Sequence, residues 1–123
     1  MKNIIIMPDG EQIEIERADT FIKRLKGLMF RRGCPSKFAM LFYPCKRVHT
    51  CFMKFDIDVV YLSNGYMVIS REHTVLSKET LKPWKLGQKV KGTGKVLEGP
   101  AGFADNLKPG DVLTLTSMVD FNK

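Results

Sequence analysis

The sequence predicts a mostly β protein of the α+β class with one main helix. Strand-length segments in which apolar and polar residues alternate recur along its 123 residues. Turn sequences punctuate them, most clearly Pro8-Asp9-Gly10 and Asn64-Gly65. The spacing of the apolar residues becomes helical in one long segment only, which limits the predicted helix content.

The first two strands are predicted to form a hairpin over residues 3–7 and 11–16. The Pro-Asp-Gly sequence between them favours a turn, because proline presets φ and glycine accepts a positive φ. In the second strand, Ile13 and Ile15 alternate with polar residues, so one face is expected to be buried.

One main helix is predicted at about residues 20–32. Its apolar residues recur at helical spacing, and they are Phe21, Leu25, Leu28 and Met29. Asp19 or Thr20 can cap its start, and Gly33 and Pro35 end it. A short helical turn is predicted at about residues 101–107.

The remaining chain is predicted to be strands and one long connection. The strands are predicted at residues 38–42, 47–54, 57–62, 66–70, 95–98 and 112–119. Residues 38–42 are continuously apolar, which is typical of a strand covered on both faces. Residues 77–95 are rich in lysine and glycine and predict a long surface connection.

Length and composition indicate a single domain over residues 1–123. The chain is 44% hydrophobic and 27% charged, with a net charge of +7. Such a composition excludes a disordered tail, a collagen-like repeat and a membrane span. The chain has three cysteines, an odd number, and no secretion signal, so we expect reduced thiols and a cytoplasmic location.

The order of several motifs resembles that of the bacterial and archaeal family known as domain of unknown function number 192. The motifs include Arg24-Leu25-Lys26-Gly27-Leu28-Met29, His49-Thr50-Cys51-Phe52-Met53-Lys54 and Ile57-Asp58-Val59-Val60-Tyr61-Leu62. The resemblance implies a compact barrel-like domain, and a sandwich-like domain is the alternative. It supplies no reaction. Cys51-Phe52 departs from the usual Phe-Trp of the family, and Asp56 stands where proline is common.

The segment around His49 is the first candidate site. If residues 47–54 form a strand, His49, Cys51 and Met53 share one face. His49 is then a candidate base or hydrogen-bond donor, and Cys51 a candidate thiol. Cys34, Cys45, His49 and Cys51 together form a weak zinc candidate, because their spacing matches no usual zinc motif. The structural alternative is that the cysteines are small buried residues.

Charged residues extend the candidate site. Asp58 matches an aspartate of the family, and Lys54, on the adjoining predicted strand, could pair with it. Arg24 is a candidate to hold a carboxylate or another anion from the helix. Glu98 either faces the same cleft or caps the turn near Ala101. A structural ion pair is the alternative for Asp58 and Lys54, and purely structural roles are the alternative for Arg24 and His49.

Lysine and arginine are concentrated in two segments. Residues 21–54 contain nine lysines or arginines and no acid, and residues 73–95 contain six lysines against Glu79. Such a surface can bind phosphate, RNA or an acidic partner, or simply be solvated. The sequence contains no known nucleic-acid-binding motif.

We therefore predict a non-catalytic domain that binds a small anionic ligand or a protein partner. The predicted polar cleft contains Arg24, His49, Met53, Lys54, Asp58 and Glu98. The alternatives are a thiol-, histidine- or metal-dependent enzyme that uses the same segment, and a nucleic-acid-binding module that uses the basic face. No cofactor and no membrane contact are expected.

Overall fold

Seven β-strands close into a barrel in a computed structural model that describes residues 2–18, 33, 37–63 and 72–118. The strands are β1 (Lys2–Ile6), β2 (Gln12–Ala18), β3 (Phe38–Phe42), β4 (Ile57–Ser63), β5 (Glu72–Leu81), β6 (Thr93–Pro100) and β7 (Val112–Met118). Their order around the barrel is β1-β2-β3-β6-β4-β5-β7. The mostly β, barrel-like prediction is confirmed.

The predicted N-terminal hairpin is also confirmed. Strands β1 and β2 are antiparallel, with Asn3 opposite Ile15. The Met7 N–H donates to the Glu11 carbonyl at 2.8 Å, which closes the turn. Gly10 has a φ of 90°, a conformation that glycine adopts at little cost.

Side chains from all seven strands fill the barrel interior. This interior core contains Ile5, Ile13, Ile15, Ala39, Leu41, Val60, Leu62, Val75, Leu97 and Leu113. Fully burying each large aliphatic side chain contributes roughly 1.5–3 kcal/mol. The barrel has two ends. Strand β1 starts at one of them, and strands β2, β3, β4 and β7 finish there. We call this the upper end. The opposite, lower end is closed by Ala104 and Leu107 of the segment before β7.

A second core covers the outer face of β3, β4 and β6. This outer core contains Ala18, Met40, Phe42, Val48, Met53, Ile57, Val59, Tyr61, Leu81 and Val96. Two irregular segments, residues 43–56 and 82–92, cover it; we call them loop A and loop B. Strands β3 and β4 are therefore buried on both faces, as the continuous apolar run at 38–42 predicts.

The structure corrects one predicted strand and one predicted connection. Residues 47–54 do not form a strand, because Phe52 has a φ of 63° and the segment has only an isolated bridge, between His49 and Leu86. The connection predicted at 77–95 is shorter, since β5 runs to Leu81 and β6 begins at Thr93. The polar residues of β5 are accommodated by specific partners: Glu79, for example, accepts a hydrogen bond from the buried Tyr61 hydroxyl.

The short helical turn predicted at 101–107 is wrong. This segment consists of successive turns, with hydrogen bonds from Phe103 N to the Pro100 carbonyl and from Leu107 N to the Ala104 carbonyl, both 3.0 Å. Gly102 has a φ of 101°, which a right-handed helix does not allow. The main helix predicted at 20–32, the Asn64-Gly65 turn and the strand predicted at 66–70 lie outside the described residues. Within the described ranges there is no helix able to span a membrane.

Candidate functional site

Thr50 joins loop A to loop B through hydrogen bonds to Lys82, Trp84 and Lys85, and it also bonds to Met53 within loop A. Its hydroxyl contacts the Lys82 carbonyl at 2.7 Å and accepts from Lys85 N at 2.7 Å. Its backbone N–H donates to the Lys85 carbonyl at 2.8 Å, and its carbonyl accepts from Trp84 N at 2.9 Å and Met53 N at 3.1 Å. Because the Thr50 side chain is fully buried, these bonds fix both loops against the outer core. Sequence analysis missed this role of Thr50.

The predicted shared face of His49, Cys51 and Met53 does not form. His49 is exposed, and its Nδ1 accepts a hydrogen bond from Cys51 N at 3.2 Å. Met53 is buried in the outer core, whereas Lys54 is exposed to solvent. The turn at residues 51–52 breaks the alternation that a strand would give, and so it separates these side chains.

Asp58 lies inside the barrel at its lower end. Its Oδ1 accepts from the Thr80 hydroxyl at 2.7 Å, and its Oδ2 accepts from Gly102 N at 2.9 Å and Ala104 N at 3.1 Å. The side chain is 4% exposed. These contacts hold the segment that closes the lower end, so the geometry assigns Asp58 a structural role.

Glu98 is buried on the outer side of the sheet, opposite Met40 and Val59. Burial raises the pKa of the Glu98 carboxyl to about 8. It also raises the pKa of the neighbouring Tyr61 hydroxyl, with further contributions from its hydrogen bond to Glu79 and from the charges of Glu79 and Glu98. Glu98 is therefore a protonated core residue at neutral pH.

The described residues do not assemble the predicted polar cleft. Asp58 faces the barrel interior, Met53 and Glu98 lie with the outer core, and His49 and Lys54 lie in solvent. Arg24 and Cys34 lie outside the described residues. Cys45 and Cys51 are thiols, and within the described ranges no group of three metal-ligating side chains converges.

The two loops bring together a different set of side chains. Phe52 and Trp84 pack edge to face, with ring centroids 4.7 Å apart and an interplanar angle of 61°. Phe52 is 47% exposed, Trp84 61% and Leu86 60%. Leu86 forms the backbone bridge to His49. We call His49, Phe52, Trp84 and Leu86 the loop patch.

Left-handed backbone positions the two aromatic rings of the loop patch. Phe52 and Trp84 each have a φ of 63°, a conformation that costs a non-glycine residue about 1–2 kcal/mol. The hydrogen bonds of Thr50 hold both turns. The only signal of this arrangement in the sequence is the single tryptophan within a lysine-rich connection.

Positive charge surrounds the loop patch. Loops A and B carry exposed basic residues at Lys46, Arg47, Lys54, Lys82, Lys85, Lys89 and Lys91. Residues 43–55 and 82–92 contain no acidic residue. Arg47 also donates from Nε to the Gly87 carbonyl at 2.8 Å, so its head group is fixed beside loop B.

A small pocket of about 100 Å³ opens at the lower end of the barrel. Its lining includes Met7, Glu11, Phe103, Asn106 and Asp111. None of the predicted site residues lines it, and its charged lining residues are mostly acidic: Asp9, Glu11 and Asp111, with Lys108.

Comparison with known proteins identifies relatives across almost the whole chain. The family model described as "Uncharacterized ACR", domain of unknown function number 192, matches residues 4–115. A UPF0127 protein from Pyrococcus horikoshii is 32% identical over 102 residues, covering 78% of this chain and 80% of the relative. A UPF0127 protein from Pyrococcus furiosus is 34% identical over 115 residues, covering 88% and 91%.

Two crystal structures share the fold. A protein of unknown function from Novosphingobium aromaticivorans has a TM-score of 0.73 and 22% identity, covering 92% of this chain and 83% of that one. A Sinorhizobium meliloti protein described as a "putative transcription regulator" has a TM-score of 0.71 and 22% identity, covering 93% and 92%. At this identity the likeness establishes the barrel and nothing about activity.

Proposed function

This chain belongs to the domain of unknown function number 192 family, and we propose that it is a non-catalytic binding domain whose loop patch docks an acidic segment of a partner protein. The proposal retains His49 and Lys54 of the predicted site. It replaces Met53, Asp58 and Glu98, which are buried, with Phe52, Trp84 and Leu86. A cytoplasmic location is part of the proposal and agrees with the thiols at Cys45 and Cys51.

The main support for the proposal is that two exposed aromatic side chains lie on unfavourable left-handed backbone. Left-handed backbone at Phe52 and Trp84 is unfavourable, and exposure of both rings returns little burial energy to the fold. Glycine would meet both backbone demands without the strain. Exposed aromatic rings held at a cost to stability are typical of a binding surface.

The side chains of the loop patch and the charge around it indicate the chemistry of the partner. Phe52, Trp84 and Leu86 supply apolar anchors of the kind that dominate binding energy at protein interfaces. The exposed lysines and arginines of the two loops outnumber their one acidic residue, Asp56 at the end of loop A, and this excess favours a negatively charged partner. A segment in which aspartate or glutamate flanks aromatic or aliphatic residues complements both features.

The alternative with a specific observation behind it is single-stranded nucleic acid. The exposed lysines of the two loops favour it, because a basic surface attracts the phosphate backbone. However, bases stack on open aromatic faces, and in the edge-to-face pair one ring covers part of the other. This geometry suits side-chain anchors better than stacked bases, so we propose the protein partner.

The contact between His49 and Cys51 also supports a non-catalytic role. Cys51 donates to the imidazole through its backbone N–H, and this bond does not activate the thiol. Thr50, the central residue of the same motif, has its hydroxyl engaged with the backbone of loop B. The hydrogen bonds of residues 49–51 therefore fix the shape of the loop surface.

Selection from a random peptide library on the immobilised protein tests the proposal. We expect enriched peptides to combine acidic and apolar residues. They should bind the Phe52→Ser/Leu86→Ser variant at least tenfold more weakly, about 1.4 kcal/mol. The matched control is Val112→Ser, which removes another exposed apolar side chain, 44% exposed, from β7.

Two results would overturn the proposal. One is enrichment of peptides that bind the Phe52→Ser/Leu86→Ser variant as tightly as the unmodified protein. The other is a single-stranded oligonucleotide that binds the loop patch more tightly than any selected peptide, with affinity that falls steeply as salt is added. The second result would assign the patch to nucleic acid.

A further inference from the structure

The upper end of the barrel presents inward-facing polar residues, and none of those described is acidic. Each lies opposite a residue of the interior core: Asn3 opposite Ile15, Arg17 opposite Leu41, His73 opposite Leu113, and Lys95 opposite Leu62. Paired residues share a face of the sheet, so these four side chains point into the same end of the barrel. We call them the upper-end cluster.

Lys95 and His73 form a buried pair within this cluster. The Lys95 Nζ lies 2.9 Å from His73 Nδ1, and the two residues are 2% and 3% exposed. When Lys95 is charged, its ammonium group only donates, so Nδ1 accepts and the hydrogen of the neutral ring lies on Nε2. His73 Nε2 is buried and has no hydrogen-bond partner among the described residues. The Nε2–H group of His73 is therefore a buried donor, and leaving such a donor without an acceptor is unfavourable.

The described charged groups of the upper-end cluster are all positive. Burial, the Lys95 charge and the Arg17 charge lower the pKa of His73 to about 4. Burial also lowers the pKa of Lys95. Buried charges in proteins are normally paired with an opposite charge. In the described part of the chain, the inward positions at this end supply lysine, arginine, histidine and asparagine, but no carboxylate.

We propose that the upper-end cluster binds a small oxyanion, whose charge Lys95 and Arg17 neutralise and whose oxygen accepts the Nε2 hydrogen of His73. The aliphatic residues of the interior core fill the barrel below, including Leu62 and Leu113. The ligand is therefore expected at the upper end, above these apolar side chains. This site lies inside the barrel and shares no residue with the loop patch, so it is independent of the proposed docking function.

Proton NMR of the two histidine rings tests the site directly. His49→Ala assigns the signals, since the chain contains two histidines. We titrate inorganic phosphate and, separately, acetate, each at constant ionic strength against potassium chloride. We expect a saturable shift of the His73 signals with at least one oxyanion, together with a rise in the pKa of His73, because a bound negative charge favours imidazolium. The oxyanion that saturates identifies the ligand class.

Three variants keep the test falsifiable. Lys95→Met preserves side-chain length while it removes the buried charge, and it should abolish the saturable shift. Arg17→Gln should weaken oxyanion affinity at least tenfold. Lys37→Met removes an exposed lysine that belongs to neither proposed site and should leave the affinity unchanged. The proposal is overturned if chloride produces the same shift, if neither oxyanion saturates, or if Lys95→Met binds like the unmodified protein.

Discussion

Removing the Asp58 carboxylate should destabilise the barrel, because this group holds the segment that closes its lower end. The carboxylate accepts three hydrogen bonds, from the Thr80 hydroxyl and from the backbone N–H groups of Gly102 and Ala104. In an Asp58→Ala variant, the exposed Thr80 and Gly102 can turn to water. The Ala104 N–H is buried and cannot.

The expected loss of stability depends on which of the three donors can reach water. A buried donor left without an acceptor costs about 1–3 kcal/mol, and a hydrogen bond to a charged group contributes about 1.5–3 kcal/mol, less where its donor can turn to water. We therefore expect Asp58→Ala to lower the free energy of unfolding by about 3 kcal/mol. Asp58→Asn retains an oxygen for the two backbone donors and should cost about 1 kcal/mol.

Urea denaturation measures these differences, and hydrogen exchange locates them. The Ala104 amide should exchange faster in Asp58→Ala than in the unmodified protein, because the carboxylate protects it. Asp56→Ala is the matched control: it removes an exposed aspartate two residues away and should change stability by less than about 0.5 kcal/mol. If Asp58→Ala costs no more than Asp56→Ala, the structural role of Asp58 is refuted.

Further expected outcomes concern Glu98, Phe52 and Gly87. Burial raises the pKa of Glu98 to about 8 in the folded protein, against 4.5 in the unfolded chain. The protonated carboxyl group therefore contributes its full stability below about pH 4.5, and this contribution is lost as pH rises through 8. Urea denaturation should therefore show Glu98→Gln more stable than the unmodified protein by at least about 2 kcal/mol near pH 9, with no gain near pH 4; a gain independent of pH would contradict this. Phe52→Gly should be about 1 kcal/mol more stable than Phe52→Ala, the reverse of the usual order, because φ is 63° there; thermal unfolding checks the order. Gly87→Ala should cost about 2–3 kcal/mol, because its methyl group would overlap the Tyr61 hydroxyl and lie 3.0 Å from Val48 Cγ2; a stable variant would show that this close packing is not required.

Local patterns were sufficient to predict much of the barrel. The Pro8-Asp9-Gly10 turn and the alternation in β2 predict the first hairpin, since both depend on neighbours in sequence. The continuous apolar run of β3 correctly predicts burial on both faces. These elements follow their intrinsic preferences, and tertiary contacts reinforce them.

The errors arise where tertiary contacts override local patterns. Residues 47–54 alternate like a strand, but the bonds of Thr50 to loop B fold them into an irregular segment. Lys78 resembles a surface residue in sequence, yet its Nζ donates to the Ala104 carbonyl at 2.7 Å. A single sequence contains no record of partners that lie tens of residues away.

The candidate site was predicted only in part for the same reason. His49 and Lys54 are exposed as a binding role requires, but Asp58 and Glu98 are buried in two different cores. Trp84 lies more than thirty residues from Phe52, and only the fold brings the two rings to 4.7 Å. No spacing rule connects residues across such a separation.

Fluorescence of Trp84 tests the central claim most directly, since it is the only tryptophan of the chain and lies in the loop patch. A selected acidic, apolar peptide is titrated into the protein while the emission maximum is followed. The docking proposal predicts a saturable blue shift, because the partner removes the 61% exposed ring from water. Lys54→Glu/Lys85→Glu should weaken that binding by reversing the surrounding charge. Peptide binding that leaves the emission of Trp84 unchanged would contradict the claim that the loop patch is the docking surface.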